Sequence, residues 1–226
     1  MTAPRKLALF DLDGTLIGGD SDHAFGEFVV AQGWADGALH RQRNDAFYRQ
    51  YQAGTLDIHE YIDFTTSAWR HRPLAEQAQL SQRFMAEVMA PQLRPPAFAL
   101  LQAHRAAGDL IAIVTATNAF ITRPIADALG VQHLLAVELA RDATGRATGR
   151  VAGVPSFREG KITRVQQWLA SLGHTLAGFE ASVFYSDSTN DLPLLETVSE
   201  PVATNPSPAL QAIALRRGWR ILRLFE

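Results

Sequence analysis

The chain has 226 residues, 47% of them hydrophobic and 19% charged, a globular composition with room for one large domain or a domain carrying an insertion. A net charge of −2 argues against a nucleic-acid or anionic-membrane partner, and no apolar run is long enough to span a bilayer. Cysteine is absent, which excludes disulfides and thiol catalysis; with no signal-type apolar core before the first strand, a cytoplasmic protein is expected.

The first predicted element is the apolar strand Leu7–Phe10, which ends in Asp11 and Asp13; Gly14 and Thr15 then turn the chain away. Side chains at i and i+2 share a strand face, so both carboxylates can be aimed at one point past the strand tip, where open α/β sheets bind ligands. Adjacent carboxylates repel and need a cation between them or a shared proton. A Mg²⁺-bound nucleophile with an acid/base partner accounts for the stretch, and so does a polar turn at a surface strand end.

Gly18 and Gly19 predict a hinge, and Ser21 or Asp22 caps the helix that follows, with Phe25, Phe28 and Val29 at helical spacing and Gly33 as its end. Further helices are predicted at 36–52, 56–71 and 74–90. Tyr61, Ile62, Thr65 and Trp69 form one face of the second of these, and Leu80, Phe84 and Val88 one face of the last. Strand signals are missing, so 18–90 reads as a helical insertion with a small core of its own, its aromatics included.

Pro91, Pro95 and Pro96 mark the return to the main domain. A helix at 96–107 is followed by the buried parallel strand Leu110–Thr115, then by a helix capped by Asn118 whose start Pro124 delays or kinks. Leu134–Leu139 reads as a strand, and Thr144–Gly149 as the turn region of a β-hairpin. A helix at 159–172 begins near Gly160 and Lys161. Val183–Ser186 is a strand leading into Asp187, with Asn190 or Asp191 capping the next helix and Pro193 in its first turn. The strands Pro201–Thr204 and Ile221–Phe225 enclose a helix at 207–217. Strands alternating with helices imply an α/β fold with a doubly wound parallel sheet.

Four stretches carry a resemblance: Asp11-Leu12-Asp13-Gly14-Thr15, Ile113-Val114-Thr115, Lys161, and Ser186-Asp187-Ser188-Thr189-Asn190-Asp191. In this order they resemble the motifs of the haloacid dehalogenase-like phosphatase superfamily. The resemblance implies a Rossmann-like core at 1–17 and 91–226 with a helical cap domain at 18–90. It implies Asp11 as a nucleophile forming an aspartyl-phosphate, and Asp13 as the acid that protonates the leaving alkoxide and then the base that activates water. Thr115, Ala116, Lys161 and Asn190 would bind phosphate. Mg²⁺ would be held by the Asp11 and Asp187 carboxylates and the Asp13 backbone carbonyl, with Asp191 behind them holding metal waters or Lys161. Helix capping, β-propensity and solvation are the plain alternatives for Asp187 and Asp191, Thr115 and Lys161, taken singly.

A helical insertion at this point resembles the phosphoserine phosphatase branch, in which an acidic residue shortly after the first motif binds the substrate ammonium. Asp20 stands at that offset, with Asp22 and His23 beside it; a hinge or capping role explains Asp20 equally well. The branch's cap arginine, which clasps the serine carboxylate, is replaced by Thr65, unless the register lets Arg70 or Arg72 compensate. Thr115-Ala116-Thr117 also departs from the branch's usual Ser-Gly-Gly. The Gly18-Gly19-Asp20-Ser21-Asp22-His23 pattern resembles histidinol-phosphatase-like members, which implies L-histidinol phosphate as substrate, with phosphoserine the alternative. The implied partner is thus a small phosphomonoester. A non-turnover phosphoacceptor module and a phosphomutase are the other classes; Asp13 and the cap favour hydrolysis over the first. Gly160-Lys161 lacks the remainder of a P-loop, since Pro155 and Ile162 occupy its first glycine and its hydroxyl position.

Overall fold

The computed structural model describes residues 6–225. Strand β1 (Lys6–Phe10) lies within a six-stranded sheet in the order β3 (His133–Val137), β2 (Leu110–Asn118), β1, β6 (Ala181–Ser186), β7 (Glu200–Thr204), β8 (Arg220–Leu222). Every neighbouring pair is parallel. The strand order reverses beside β1, which opens a crevice at the carboxyl ends of β1, β2 and β6.

Alternation along β1 divides the interior. Leu7 and Leu9 pack with Val165 and Leu169 of α7 (Glu159–Ser171), with Leu194 and Leu195 of α8 (Leu192–Leu195) and with Leu210 of α9 (Pro208–Arg217). Ala8 and Phe10 face the other way, with Leu101 of α5 (Pro95–Ala107) and Ile121 and Ile125 of α6 (Ala119–Ala128). Between β1 and α5 come α1 (Ser21–Ala31), α2 (Gly37–Ala53), α3 (Ile58–Ser67) and α4 (Leu74–Phe84), which runs on through a π turn, Met85–Met89, and a 3₁₀ turn, Ala90–Gln92. The predicted helix at 74–90 therefore changes winding at its end, where Pro91 removes a backbone donor.

The inserted helices do not keep a separate core. Phe25, Phe28, Phe47, Ile62, Trp69 and Phe84 belong to the same apolar cluster as Phe10 and α6. Phe120 makes the join: Trp69 stacks on it at 4.1 Å, and Phe25 meets it edge-on at 5.9 Å. A small antiparallel sheet, β4 (Leu139–Arg141) and β5 (Ala147–Val151), packs against α3. It contains the predicted hairpin, but Glu138 separates β4 from β3, where the sequence had suggested one strand over Leu134–Leu139.

Three further expectations change. Strand β2 continues to Asn118, past Thr115, with a register irregularity after Val114 beyond which Asn118 pairs with Val137 of β3. Helix α6 starts at Ala119 with Pro124 inside it, and Asn118 precedes it without a capping hydrogen bond. The last strand stops at Leu222.

Candidate active site

The tip of β1 delivers two carboxylates held in different ways. Asp11 is buried; its backbone N–H donates to the Tyr185 carbonyl of β6 at 2.9 Å, and its Oδ1 accepts from Lys161 Nζ at 2.9 Å. Asp13 has both oxygens engaged. Oδ1 accepts from the backbone N–H of Ser21 at 2.6 Å, and Oδ2 from the Thr117 hydroxyl at 2.9 Å. Ser21 is the first residue of α1, so an orphan amide of the helix start is satisfied by this carboxylate. Between β1 and α1 the chain folds tightly: Gly14 N–H bonds the Gly19 carbonyl at 3.0 Å. Gly14 adopts φ +71°, and a Cβ there would overlap the Asp187 carboxylate, which presses directly on this turn.

Lys161 enters from α7. Its neighbour Gly160 lets the first helical turn approach the Pro155 carbonyl so closely that a Cβ would collide with it. Arg158, just before, holds a positive φ of 50°. The lysine is 1% exposed. Its Nζ also donates to Asp191 Oδ2 at 2.7 Å, and that oxygen takes a second bond from Ser186 Oγ at 2.8 Å. Residues 11, 161 and 191, far apart along the chain, thus share one buried ion-pair network.

Four carboxylates, of Asp11, Asp13, Asp187 and Asp191, gather around a single ammonium. Burial, reinforced by Asp191 and Asp13 against the pull of Lys161, raises Asp11 to about 7. Burial also raises Asp13, partly offset by its bonds from Ser21 and Thr117. Burial, followed by the charge of Asp11, holds Asp187 well above the usual carboxylate range. For Lys161, burial works against the charge, but Asp11 and Asp191 reverse it and leave the ammonium more firmly protonated than usual. Such an excess of crowded hard oxygens suits a divalent cation of the Mg²⁺ type. Among the described residues, no three acidic, histidine or cysteine side chains converge as a cage. The expected set asks for less, two carboxylates and the Asp13 carbonyl, and the residues present fit it.

Over this polar floor lies a chamber lined by Asp11, Asp13, Asp20, Asp22, Thr115, Ala116 and Thr117 from the floor side, and by Phe47, Tyr48, Tyr51, Leu56, Ile58 and Tyr61 above. The chamber holds about 30 Å³, room for a water or two. It adjoins a wider cleft of about 500 Å³ reaching Gly14, Asp187 and Ser188. Asp13, Asp20, Tyr48 and Tyr51 border both. Thr115 Oγ1 accepts from Thr117 N–H at 3.1 Å, which leaves its own proton to donate.

Not every expected residue sits as expected. Asp20, not Ser21 or Asp22, caps α1, accepting from His23 N–H at 2.8 Å. His23 itself lies outside the chamber lining, its ring pairing with Asp45 at 3.1 Å and tilted against Tyr48. Asn190 spends its side-chain amide on the Tyr51 carbonyl at 2.8 Å, fastening α2 to the core. Arg70 bonds Asp63, and Arg72 lies over the Trp34 ring, so neither stands in for the missing arginine at Thr65. Sequence reasoning missed Thr117, Tyr48 and Tyr51, and also Asn205. The Asn205 amide bonds the Gly14 carbonyl at 2.9 Å while its Oδ1 accepts from Leu224 N–H at 2.6 Å, bracing the Gly14 turn from behind.

A doubly wound sheet whose switch point gathers Asp11, Asp13, Asp187 and the buried Lys161 has the architecture of an α/β enzyme that binds its ligand at the carboxyl ends of the strands. The family described as haloacid dehalogenase-like hydrolase matches residues 8–196, and the chain belongs to it; it is a phosphatase of that family. A histidinol-phosphatase from Neisseria meningitidis is 43% identical over 218 residues, covering 96% of this chain and 98% of that protein. A phosphoserine phosphatase from Mycobacterium tuberculosis is 30% identical over 220 residues, covering 95% of this chain and 69% of that one. Among solved structures, a Bordetella pertussis protein of unknown function superposes with a TM-score of 0.93 at 48% identity, over 99% of this chain and 100% of that one. A substrate-bound phosphoserine phosphatase superposes at 0.69 with 16% identity, over 98% and 94%, and shares the fold.

Proposed function

We propose that this phosphatase hydrolyses a small phosphorylated amino alcohol, L-histidinol phosphate, through an aspartyl-phosphate on Asp11, with residues 18–90 acting as the cap. The observation that carries the reading is the different bonding of the two aspartates that follow β1. Asp11 keeps one oxygen on Lys161, which leaves Oδ2 to attack phosphorus. The ester P–O bond breaks as the new one forms, and the leaving alkoxide takes the proton of Asp13, whose carboxyl burial favours the protonated form at this step. Asp13 then takes a proton from the water that attacks the phosphorus of the aspartyl-phosphate, and inorganic phosphate leaves. Thr115 and the Lys161 ammonium balance charge on the phosphoryl oxygens. Mg²⁺, held by Asp11, Asp187 and the Asp13 carbonyl, would neutralise the phosphoryl charge and keep Asp11 ionised.

Two observations bear on the substrate. Among the described residues no arginine lines the chamber, so a substrate carboxylate has no bidentate partner there, which weighs against phosphoserine. The Neisseria relative named histidinol-phosphatase covers nearly the whole chain. A chamber of about 30 Å³ is too small for such an ester by itself, and the adjoining cleft of about 500 Å³ shares Asp13, Asp20, Tyr48 and Tyr51 with it. Steady-state phosphate release with Mg²⁺ tests the reading: histidinol phosphate should exceed phosphoserine and unrelated monoesters in kcat/KM. Equal turnover of all three would refute the substrate assignment.

A further inference from the structure

Resting on that reading, we infer that Asp22, not Asp20, is the carboxylate that recognises the substrate's distal group, and that this group is a planar N–H-bearing ring of imidazole type. Asp22 is 3% exposed and lines the chamber, yet neither of its carboxylate oxygens has a hydrogen-bond partner. Tyr61 is a neighbour without closing a bond of good geometry. Buried carboxylates are costly and are almost always paired, so an orphan facing a cavity marks the place of a missing partner. Asp20 offers no such vacancy on its Oδ1, which caps α1 through His23 N–H.

The surroundings select among nitrogen ligands. Phe47, Tyr48, Leu56, Ile58 and Tyr61 make an aromatic and aliphatic wall in the chamber that Asp22 lines. A compact alkylammonium is strongly hydrated and would leave most of its N–H donors unmatched there. A flat ring stacks on aromatic faces, is less hydrated when cationic, and presents an N–H along its edge to a single carboxylate. Thr65, one turn beyond Tyr61 on α3, lies outside the chamber lining and occupies the position where the resemblance to phosphoserine phosphatases implied an arginine. The site thus exchanges a carboxylate-reading cation for a ring-reading acid.

The test compares full-length wild type with Asp22→Asn, which keeps the shape and removes the charge. L-Histidinol, which lacks phosphate, is titrated calorimetrically, and kcat/KM is measured for histidinol phosphate and for phosphoethanolamine, which has an ammonium and no ring. The inference expects histidinol to bind wild type and to bind the variant about tenfold or more weakly, and the preference for histidinol phosphate over phosphoethanolamine to fall about tenfold or more. Ligand-free Asp22→Asn should melt no lower than wild type, since neither carboxyl oxygen of Asp22 has a hydrogen-bond partner to lose, whereas a merely structural aspartate would give a lower Tm. Failure of wild type to bind histidinol, unchanged binding in the variant, or equal loss on both esters overturns the inference. The hydrolase reading fails separately, if wild type with Mg²⁺ releases no phosphate from either ester while histidinol binding still decides the role of Asp22.

Discussion

Replacing Lys161 with methionine separates the ion pairing of this side chain from the phosphate-binding role proposed for it. The substitution keeps an apolar stem of comparable length and deletes the ammonium that joins Asp11 at 2.9 Å and Asp191 at 2.7 Å. With the lysine 1% exposed and both partner carboxylates no more than 4%, solvent cannot replace the lost charge. Breaking a buried pair of this kind costs about 3–5 kcal/mol of folding stability, because the partners stay behind uncompensated. The catalytic cost is a lost donor to the phosphoryl group, about 10²–10³ in kcat. Denaturant unfolding measures the first, and saturating phosphate-release kinetics with Mg²⁺ the second. In the double variant with Asp191→Asn, the stability cost should be smaller than the sum of the single costs, since one unpaired carboxylate has been removed as well. A Lys161→Met enzyme with kcat within about threefold of wild type would refute the placement of this ammonium at the reacting phosphate.

Asp13→Asn should lower kcat about 10²–10⁴-fold on alkyl phosphates and less on para-nitrophenyl phosphate, whose leaving group needs no acid; an equal loss on both would contradict general-acid catalysis. Burial raises Asp11 to about 7 and Asp20 to about 6, so the folded, metal-free protein binds protons that the unfolded chain, near 3.8, releases. These two groups therefore stabilise the fold below about pH 4 and lose that contribution as pH rises toward 7, so the metal-free Tm should fall across this window and Mg²⁺ at pH 7 should raise it. Asn205→Ala releases the Gly14 turn and the chain around Leu224, and should cost about 1–3 kcal/mol in unfolding free energy together with a lower kcat; unchanged kinetics would show that the turn needs no brace.

Local signals explain which parts were readable from sequence. Leu7–Phe10, Leu110–Thr115 and Val183–Ser186 are apolar runs ending in polar residues, and each falls where a strand reaches the crevice. Asp11, Asp13 and Asp187 follow the ends of β1 and β6, and Thr115 lies near the end of β2, so their approach follows once the sheet is known to be parallel. The choice among Asp20, Ser21 and Asp22 as cap could not be made locally, because aspartate and serine both cap well and the three are consecutive. Tyr48, Tyr51 and Tyr61 were not separable from a core stripe: one aromatic face at helical spacing looks the same whether it meets apolar side chains or arches over carboxylates. The bracing by Asn205 rests on a positive φ of 44° and on partners about 190 positions away, neither of which has a local signature. The merging of the inserted helices with the sheet-face core depends on Phe120, an ordinary first-turn residue of α6 until Trp69 stacks on it.

The central claim is that Asp11 carries the phosphoryl group. Acid-quenching the enzyme during turnover of histidinol phosphate, followed by peptide mass analysis, tests it most directly. One hydroxylamine-sensitive phosphoryl group should be found on the peptide containing Asp11, and none after Asp11→Asn. A label on any other residue, or steady turnover by Asp11→Asn, would contradict it.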